Sequence, residues 1–207
     1  MSHSVRIGVL GSTRGTDLQA VIGAVEKKVL PAEIAVVVSN KKDAFILERA
    51  KKHKIKAVFV NPNDFSSKED FDKEVANVLR KEKVDLVLLI GYMRVLSEFF
   101  CKKFENRIIN IHPSLLPMFA GGMDTNVHGE VKRRGLKETG CTLHFVTSKV
   151  DSGPIILQKK VAVSPTDSVE QIKEKVQKAE QEVILKAIKL FAENKIVIEK
   201  GKVRLLD

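Results

Sequence analysis

The feature that most constrains this chain is the regular alternation of short apolar blocks with stretches whose apolar residues recur at helical spacing. Val5-Arg6-Ile7-Gly8-Val9-Leu10 is a compact apolar run closed by Gly11, and from Asp17 the positions Leu18, Val21, Ile22, Val25 and Val29 follow the i, i+3, i+4, i+7 rule of a helix face. The rhythm repeats. Ile34 to Val38 reads as a strand, and Ile46, Leu47 and Ala50 mark a helix. Lys56 to Val60 is a third strand, followed by a helix carrying Phe71, Val75, Val78 and Leu79 on one face, with Ser67 and Asp70 placed as its cap. Asp85 to Ile90 is the most apolar strand and ends at Gly91, and Arg107 to Ile111 is another. Strands separated by helices in this way predict an open, mostly parallel twisted sheet of right-handed crossover units, an α/β fold of Rossmann-like kind with helices on both faces.

After about residue 138 the rhythm changes. Thr139 to Thr147 and Pro154 to Val163 are two strands separated by an Asp151-Ser152-Gly153 turn, which predicts a closely returning antiparallel or mixed pair rather than a further crossover. One long helix follows from about Ser168 to Asn194, and a short hairpin at Gly201 closes the chain. With 207 residues, no repeat and no flexible linker, the expectation is one domain over 1–207, with a phosphate-binding half to about 100 and a catalytic and folate-binding half from about 101.

Composition excludes several classes. Apolar residues make up 43% and charged residues 30%, enough for a substantial core. No apolar run approaches the roughly 18 residues of a membrane helix, and Met1 to Ser4 lead straight into the first strand without a signal peptide. Cys101 and Cys141 are too few for a disulfide framework or a cysteine zinc site, and the five histidines do not pair with carboxylates at ligand spacing, so no metal and a reducing cytoplasm are expected. The net charge of +10 permits nucleic acid, anionic lipid or phosphorylated small molecules as partners. The lysines are scattered, and with one Tyr and no Trp there is no stacking platform for a nucleic acid.

Ligands of such sheets bind beyond the carboxyl ends of the strands, and three of those ends carry unusual residues. Gly11-Ser12-Thr13-Arg14-Gly15-Thr16 is a small-residue loop leading into a helix, either a phosphate cradle or a tight turn that needs glycine. Its glycine spacing matches neither the dinucleotide fingerprint nor a Walker loop. Asn110 and His112 are two apart at a strand end and therefore point to one side, an amide donor beside an imidazole. Asp151 sits in a glycine turn, either as a turn former or as the acid that orients His112. On the long helix, Glu180 projects beside the apolar stripe formed by Val169, Ile172, Val176, Ala179, Val183, Ala187 and Phe191, with Gln177 on the same border. A carboxylate there needs a partner, a ligand amine or a basic neighbour. His53 lies in a basic run and reads as solvated, His3 is terminal, and His128 and His144 stay open.

These residues resemble a known family. Asn110-Ile111-His112-Pro113-Ser114-Leu115-Leu116-Pro117 is similar to the signature of folate-dependent formyltransferases. Gly91 to Ser97, His144-Phe145-Val146 and Val150 to Gln158 resemble the family's neighbouring segments in the same order. Gly15-Thr16-Asp17-Leu18-Gln19 resembles the phosphate loop of its purine-pathway branch. The resemblance implies transfer of a formyl group from 10-formyltetrahydrofolate, as co-substrate, to the glycinamide amine of 5'-phosphoribosylglycinamide, without metal or covalent intermediate, by a monomer or homodimer. It implies that Asn110 and a protonated His112 stabilise the tetrahedral oxyanion, with Asp151 holding His112 charged. It further implies that Gly15, Thr16 and Asp17 hold the phosphate with Gln177 nearby, and that Glu180 meets the amine. Met93, Arg94, Val95, Leu96 and His144 would bind the folate.

Two departures and the relatives bound this expectation. The family usually has Asn where Asp17 stands, which implies that the backbone amide of Asp17, not its side chain, serves the phosphate. The segment from Met118 to His128 is longer than in common relatives and has Asn126 where many carry a histidine. A methionyl-tRNA formyltransferase would need a further C-terminal domain, and a formyltetrahydrofolate hydrolase an N-terminal one; the chain length leaves room for neither. The alternatives are a formyltransferase acting on another amine, such as a nucleotide sugar, that hydrolase, or a non-catalytic protein binding phosphometabolites or nucleic acid.

Overall fold

The computed structural model describes residues 4–121 and 126–206, so that Gly122 to Thr125 of the long segment, and His3, lie outside the described residues. Among the described residues nine strands and six helices follow one another as β1 (Val5–Leu10), α1 (Thr16–Glu26), β2 (Ala32–Ser39), α2 (Phe45–Lys52), β3 (Ala57–Phe59), α3 (Lys68–Lys81), β4 (Leu86–Leu89), α4 (Glu98–Lys103), β5 (Ile108–His112), α5 (Val127–Arg133), β6 (Glu138–Phe145), β7 (Ile155–Ala162), α6 (Val169–Ala192), β8 (Ile196–Glu199) and β9 (Lys202–Leu205). A single turn of 3-10 helix at Pro62–Asp64 precedes α3.

Seven strands form one sheet in the order β3-β2-β1-β4-β5-β6-β7, and β8 and β9 form a separate hairpin. Strands β1 to β5 pair in parallel, while β6 runs antiparallel to both β5 and β7. The order reverses at β1 and β4, and the crevice beyond their carboxyl ends is where an open sheet of this kind offers a ligand site. The mostly parallel sheet and the change of rhythm in the C-terminal third both agree with the sequence pattern.

One sheet face packs on α1, α5 and α6, the other on α3 and α4. Helix α6 begins with a capping box between Ser168 and Gln171 and buries Ile172, Val176, Ala179, Val183, Ile184, Ala187 and Ile188. Each of these Ile and Val side chains contributes roughly 1.5–3 kcal/mol of transfer free energy, so this one face anchors the C-terminal third. Among the described residues no helix is long and apolar enough to cross a membrane.

Three local expectations need correction. Val29 does not lie on the α1 face: Lys28 takes φ 55°, the Val29 amide closes on Ala24 O at 3.0 Å, and Val29 is 69% exposed past the helix end. His53 is not solvated; its Nδ1 lies 2.7 Å from Glu26 Oε1 and its Nε2 3.2 Å from Gln19 Nε2. Helices α4 and α5, absent from the periodicity, are capped by Ser97 and Asn126.

Candidate active site

The loop after β1 is fixed before any ligand arrives. Gly15 has φ 63°, and a Cβ there would stand 2.4 Å from Ile46 Cγ1 of α2, so only glycine lets the loop lie against α2. The Ser12 amide donates to Gly91 O at 3.0 Å, and Ser12 Oγ accepts the Met93 amide at 2.8 Å. These bonds lash the loop after β1 to the segment after β4. Gly15 and Thr16 thus present the first amides of α1, an anion-binding arrangement, with the Arg14 side chain exposed beside them.

Asp17, by contrast, turns inward. It is 7% exposed, caps nothing, and its Oδ1 is buried without a hydrogen-bond partner among the described residues. It faces Glu180 of α6, which is 8% exposed. Burial, and then the charge of Asp17, push Glu180 up to about 8, while burial, opposed by a hydrogen bond to Gln181, pushes Asp17 up to about 6. Gln177 is half-buried one turn before Glu180.

A cavity of about 240 Å³ opens beyond β4, β5 and β6. Met93, Arg94, Val95 and Leu96 form one wall; Asn110, His112, His144 and Asp151 form the other. The Arg94 guanidinium lies 4.4 Å above the Phe71 ring. The two expected halves of the chain therefore interleave, since the cavity takes Met93 to Leu96 from one and the polar wall from the other.

The polar wall is a connected set. Asp151 has φ 51°, a left-handed turn that Asp tolerates, and its Oδ2 accepts the Gly121 amide at 2.8 Å. Oδ2 stands 3.6 Å from His112 Nδ1, and Oδ1 stands 3.6 Å from His144 Nε2. His144 Nδ1 donates to Phe145 O at 2.8 Å, leaving Nε2 to accept from Asn110 Nδ2 at 3.2 Å. Among the described residues His112 Nε2 is buried without a partner. Burial holds His112 below the ordinary imidazole range, although the Asp151 carboxylate and a backbone hydrogen bond to Phe119 pull the other way. Burial likewise lowers His144. Burial thus opposes, and Asp151 favours, the imidazolium that the resemblance implied for His112.

A second cavity of about 350 Å³ shares Pro113 and Val127 with the first and adds His128, Glu170 and Lys173. Among the described residues His128 Nδ1 is buried without a partner, and burial with the Lys173 charge lowers its pKa. Reading of the sequence assigned nothing to His128 or Lys173; their signal was only an unexplained histidine and a lysine two turns before Glu180. Among the described residues no group of three or more His, Cys, Asp or Glu side chains converges for a metal.

A doubly wound α/β sheet with an anion-binding loop at its switch point and an Asn-His-Asp wall at the next strand end defines a group-transfer architecture. The chain belongs to the formyl transferase family, whose model matches residues 5–188. It is 41% identical to the phosphoribosylglycinamide formyltransferase of Haemophilus influenzae, over 98% of this chain and 91% of that one. It is 40% identical to part of the chicken trifunctional purine biosynthetic protein adenosine-3, spanning 98% of this chain but only 20% of that protein's length. The crystal structure of glycinamide ribonucleotide transformylase 1 from Symbiobacterium toebii superposes with a TM-score of 0.94 at 43% identity, covering 100% of this chain and 96% of that one.

Proposed function

We propose that this chain transfers the formyl group of 10-formyltetrahydrofolate to the glycinamide amine of 5'-phosphoribosylglycinamide, a step of purine biosynthesis. The observation that carries the reading is the buried, unpartnered Nε2 of His112, flanked by Asn110 and Asp151 on the cavity wall. The half-buried apolar faces of Met93 and Val95 suit a flat pterin on the opposite side. The amides of Gly15, Thr16 and Asp17 receive the phosphate, and the second cavity leads from α6 toward Pro113 and the catalytic wall. Gln177 and Glu180 border the ribonucleotide. On this reading Glu180, expected on the amine, meets the ribonucleotide from beside Asp17.

The chemistry then follows. The amine attacks the formyl carbon, the carbonyl electrons move to oxygen, and Asn110 donates a hydrogen bond to the resulting oxyanion. Neutral His112 accepts the proton that the amine sheds, becomes an imidazolium beside Asp151 and the oxyanion, and returns the proton to the departing folate nitrogen as the C–N bond breaks. One N–C bond forms and one breaks, and the proton count closes.

Purified protein mixed with both substrates, with folate absorbance and formylated product followed together, tests this. Product that depends on both substrates is expected. Folate loss without ribonucleotide would replace the reading with hydrolysis, and inertness of well-folded protein toward the ribonucleotide would point to another amine.

A further inference from the structure

We propose that Asp17 and Glu180 share a proton, and that binding a phosphomonoester at the loop before α1 draws in another, so that the Asp17 side chain makes ribonucleotide binding proton-coupled. The inference rests on the proposed function for the identity of the ligand. It concerns a side chain which, by the family resemblance, should be a neutral amide.

The geometry comes from three elements. Asp17 is the second residue of α1, directly after the loop, yet its side chain neither caps the helix nor reaches water. Oδ1 is buried without a partner, and the neighbouring groups on α6 are Glu180 and the Gln181 amide. From β6 comes Cys141, a fully buried thiol that burial and then both carboxyls hold well above its ordinary range. The cations within electrostatic reach are Lys173, exposed two turns earlier on α6, and Lys159, which acts on Cys141. Among the described residues neither carboxyl has a salt bridge.

Two buried carboxyls without a counter-ion do not both ionise. At neutral pH the pair therefore carries close to one negative charge, next to amides aimed at an anion. A phosphate dianion arriving at those amides adds charge of the same sign within a turn of Asp17. The pair answers by binding a proton from solvent, which forms an O–H bond on one carboxyl and leaves the pair neutral. An Asn at this position holds no charge and needs no proton.

Calorimetric titration of the whole chain with phosphoribosylglycinamide in buffers of different ionisation heat reads the effect. At about pH 8, where a phosphomonoester is already a dianion, the wild type should take up between about a half and one proton per ligand bound. Its affinity should then weaken by about three- to tenfold per pH unit. Asp17→Asn, an isosteric change, should take up essentially none and bind more tightly at that pH; Glu180→Gln should likewise flatten the dependence. Equal uptake in wild type and Asp17→Asn, or none in the wild type, overturns the inference and leaves the proposed function standing. Carboxyl carbon NMR of the ligand-free chain gives an independent reading: two carboxyls titrating in the ordinary range also overturn the inference. Absence of binding heat at every pH, with the carboxyls shifted upward, overturns the ribonucleotide reading instead.

Discussion

Asn110 and His144 face each other in the antiparallel register of β5 and β6, and the Asn110 amide donates to His144 Nε2 over 3.2 Å. Because His144 spends its own hydrogen on Phe145 O, its free nitrogen fixes which end of the Asn110 amide points inward and leaves the second amide hydrogen for the cavity. The family resemblance implied a folate contact for His144, which lines the cavity but is 2% exposed. His144→Phe, which keeps the volume and removes the acceptor, should lower kcat about tenfold or more, with the folate KM within about threefold. Steady-state kinetics with both substrates decides it: a raised folate KM at unchanged kcat would restore the folate role.

The His112 and Asp151 pair predicts both a rate and a pH shift. His112→Ala and Asp151→Asn should each reduce turnover by roughly a hundredfold. Burial already sets His112 below the ordinary imidazole value, and Asp151 raises it. Removing the Asp151 charge must lower it further. If neutral His112 is the base, kcat/KM falls as pH drops through this value, so the residual activity of Asp151→Asn should keep its acidic limb at lower pH than the wild type. An acidic limb moved upward would contradict the assignment.

Two glycines hold the site's loops, and they fail differently. At Gly15 an alanine would adopt φ 63° at a cost of about 1–2 kcal/mol, with Ile46 Cγ1 only 2.4 Å from the new Cβ. Gly15→Ala should raise the ribonucleotide KM at least about tenfold with smaller change for the folate, and adding Ile46→Ala should recover part of the loss by opening space while leaving the φ cost. At Gly153 the new Cβ would stand 1.8 Å from Phe145 O, a backbone atom. Gly153→Ala must therefore displace the turn that carries Asp151, and should cost kcat and about 2 kcal/mol or more of stability. Wild-type melting and kinetics in Gly153→Ala would show that the turn moves freely.

These residues also show where sequence reading stops. Parallel strands buried on both faces announce themselves as apolar runs, and α1, α3 and α6 are long enough to display a helical period. Helices α4 and α5, six and seven residues long, are too short to show one; only Ser97 and Asn126, each accepting an amide three residues on, mark them. Within the site, Asn110 and His112 share a side because a strand alternates. That Asp151 reaches His112, and that His144 lies opposite Asn110, depends on the β5–β6 register and on the turn at φ 51°, neither of which a single chain of letters encodes locally. The meeting of Asp17 with Glu180 needs α1 packed on α6, a contact across most of the chain.

That meeting sets the pH dependence of the fold itself. The carboxyls of Asp17 and Glu180 are raised in the folded chain, to about 6 and about 8. Carboxyls of raised pKa hold their protons more tightly when folded, so their stabilising contribution is complete below the ordinary carboxylate range and is lost as pH rises through the raised values. Wild-type stability should accordingly decline between about pH 4 and pH 9 more than its other groups require. Asp17→Asn removes one charge of the pair and lets Glu180 ionise beside a neutral amide. The variant should gain about 1–2 kcal/mol near pH 8.5, a rise in Tm of roughly 2–8 °C for a chain of this size. Near pH 3, where the carboxyls are protonated in the folded and the unfolded chain alike, it should gain almost nothing. Melting curves of both proteins across that range test the argument, and an equal gain at both ends would mean that the introduced amide improves packing rather than relieving charge.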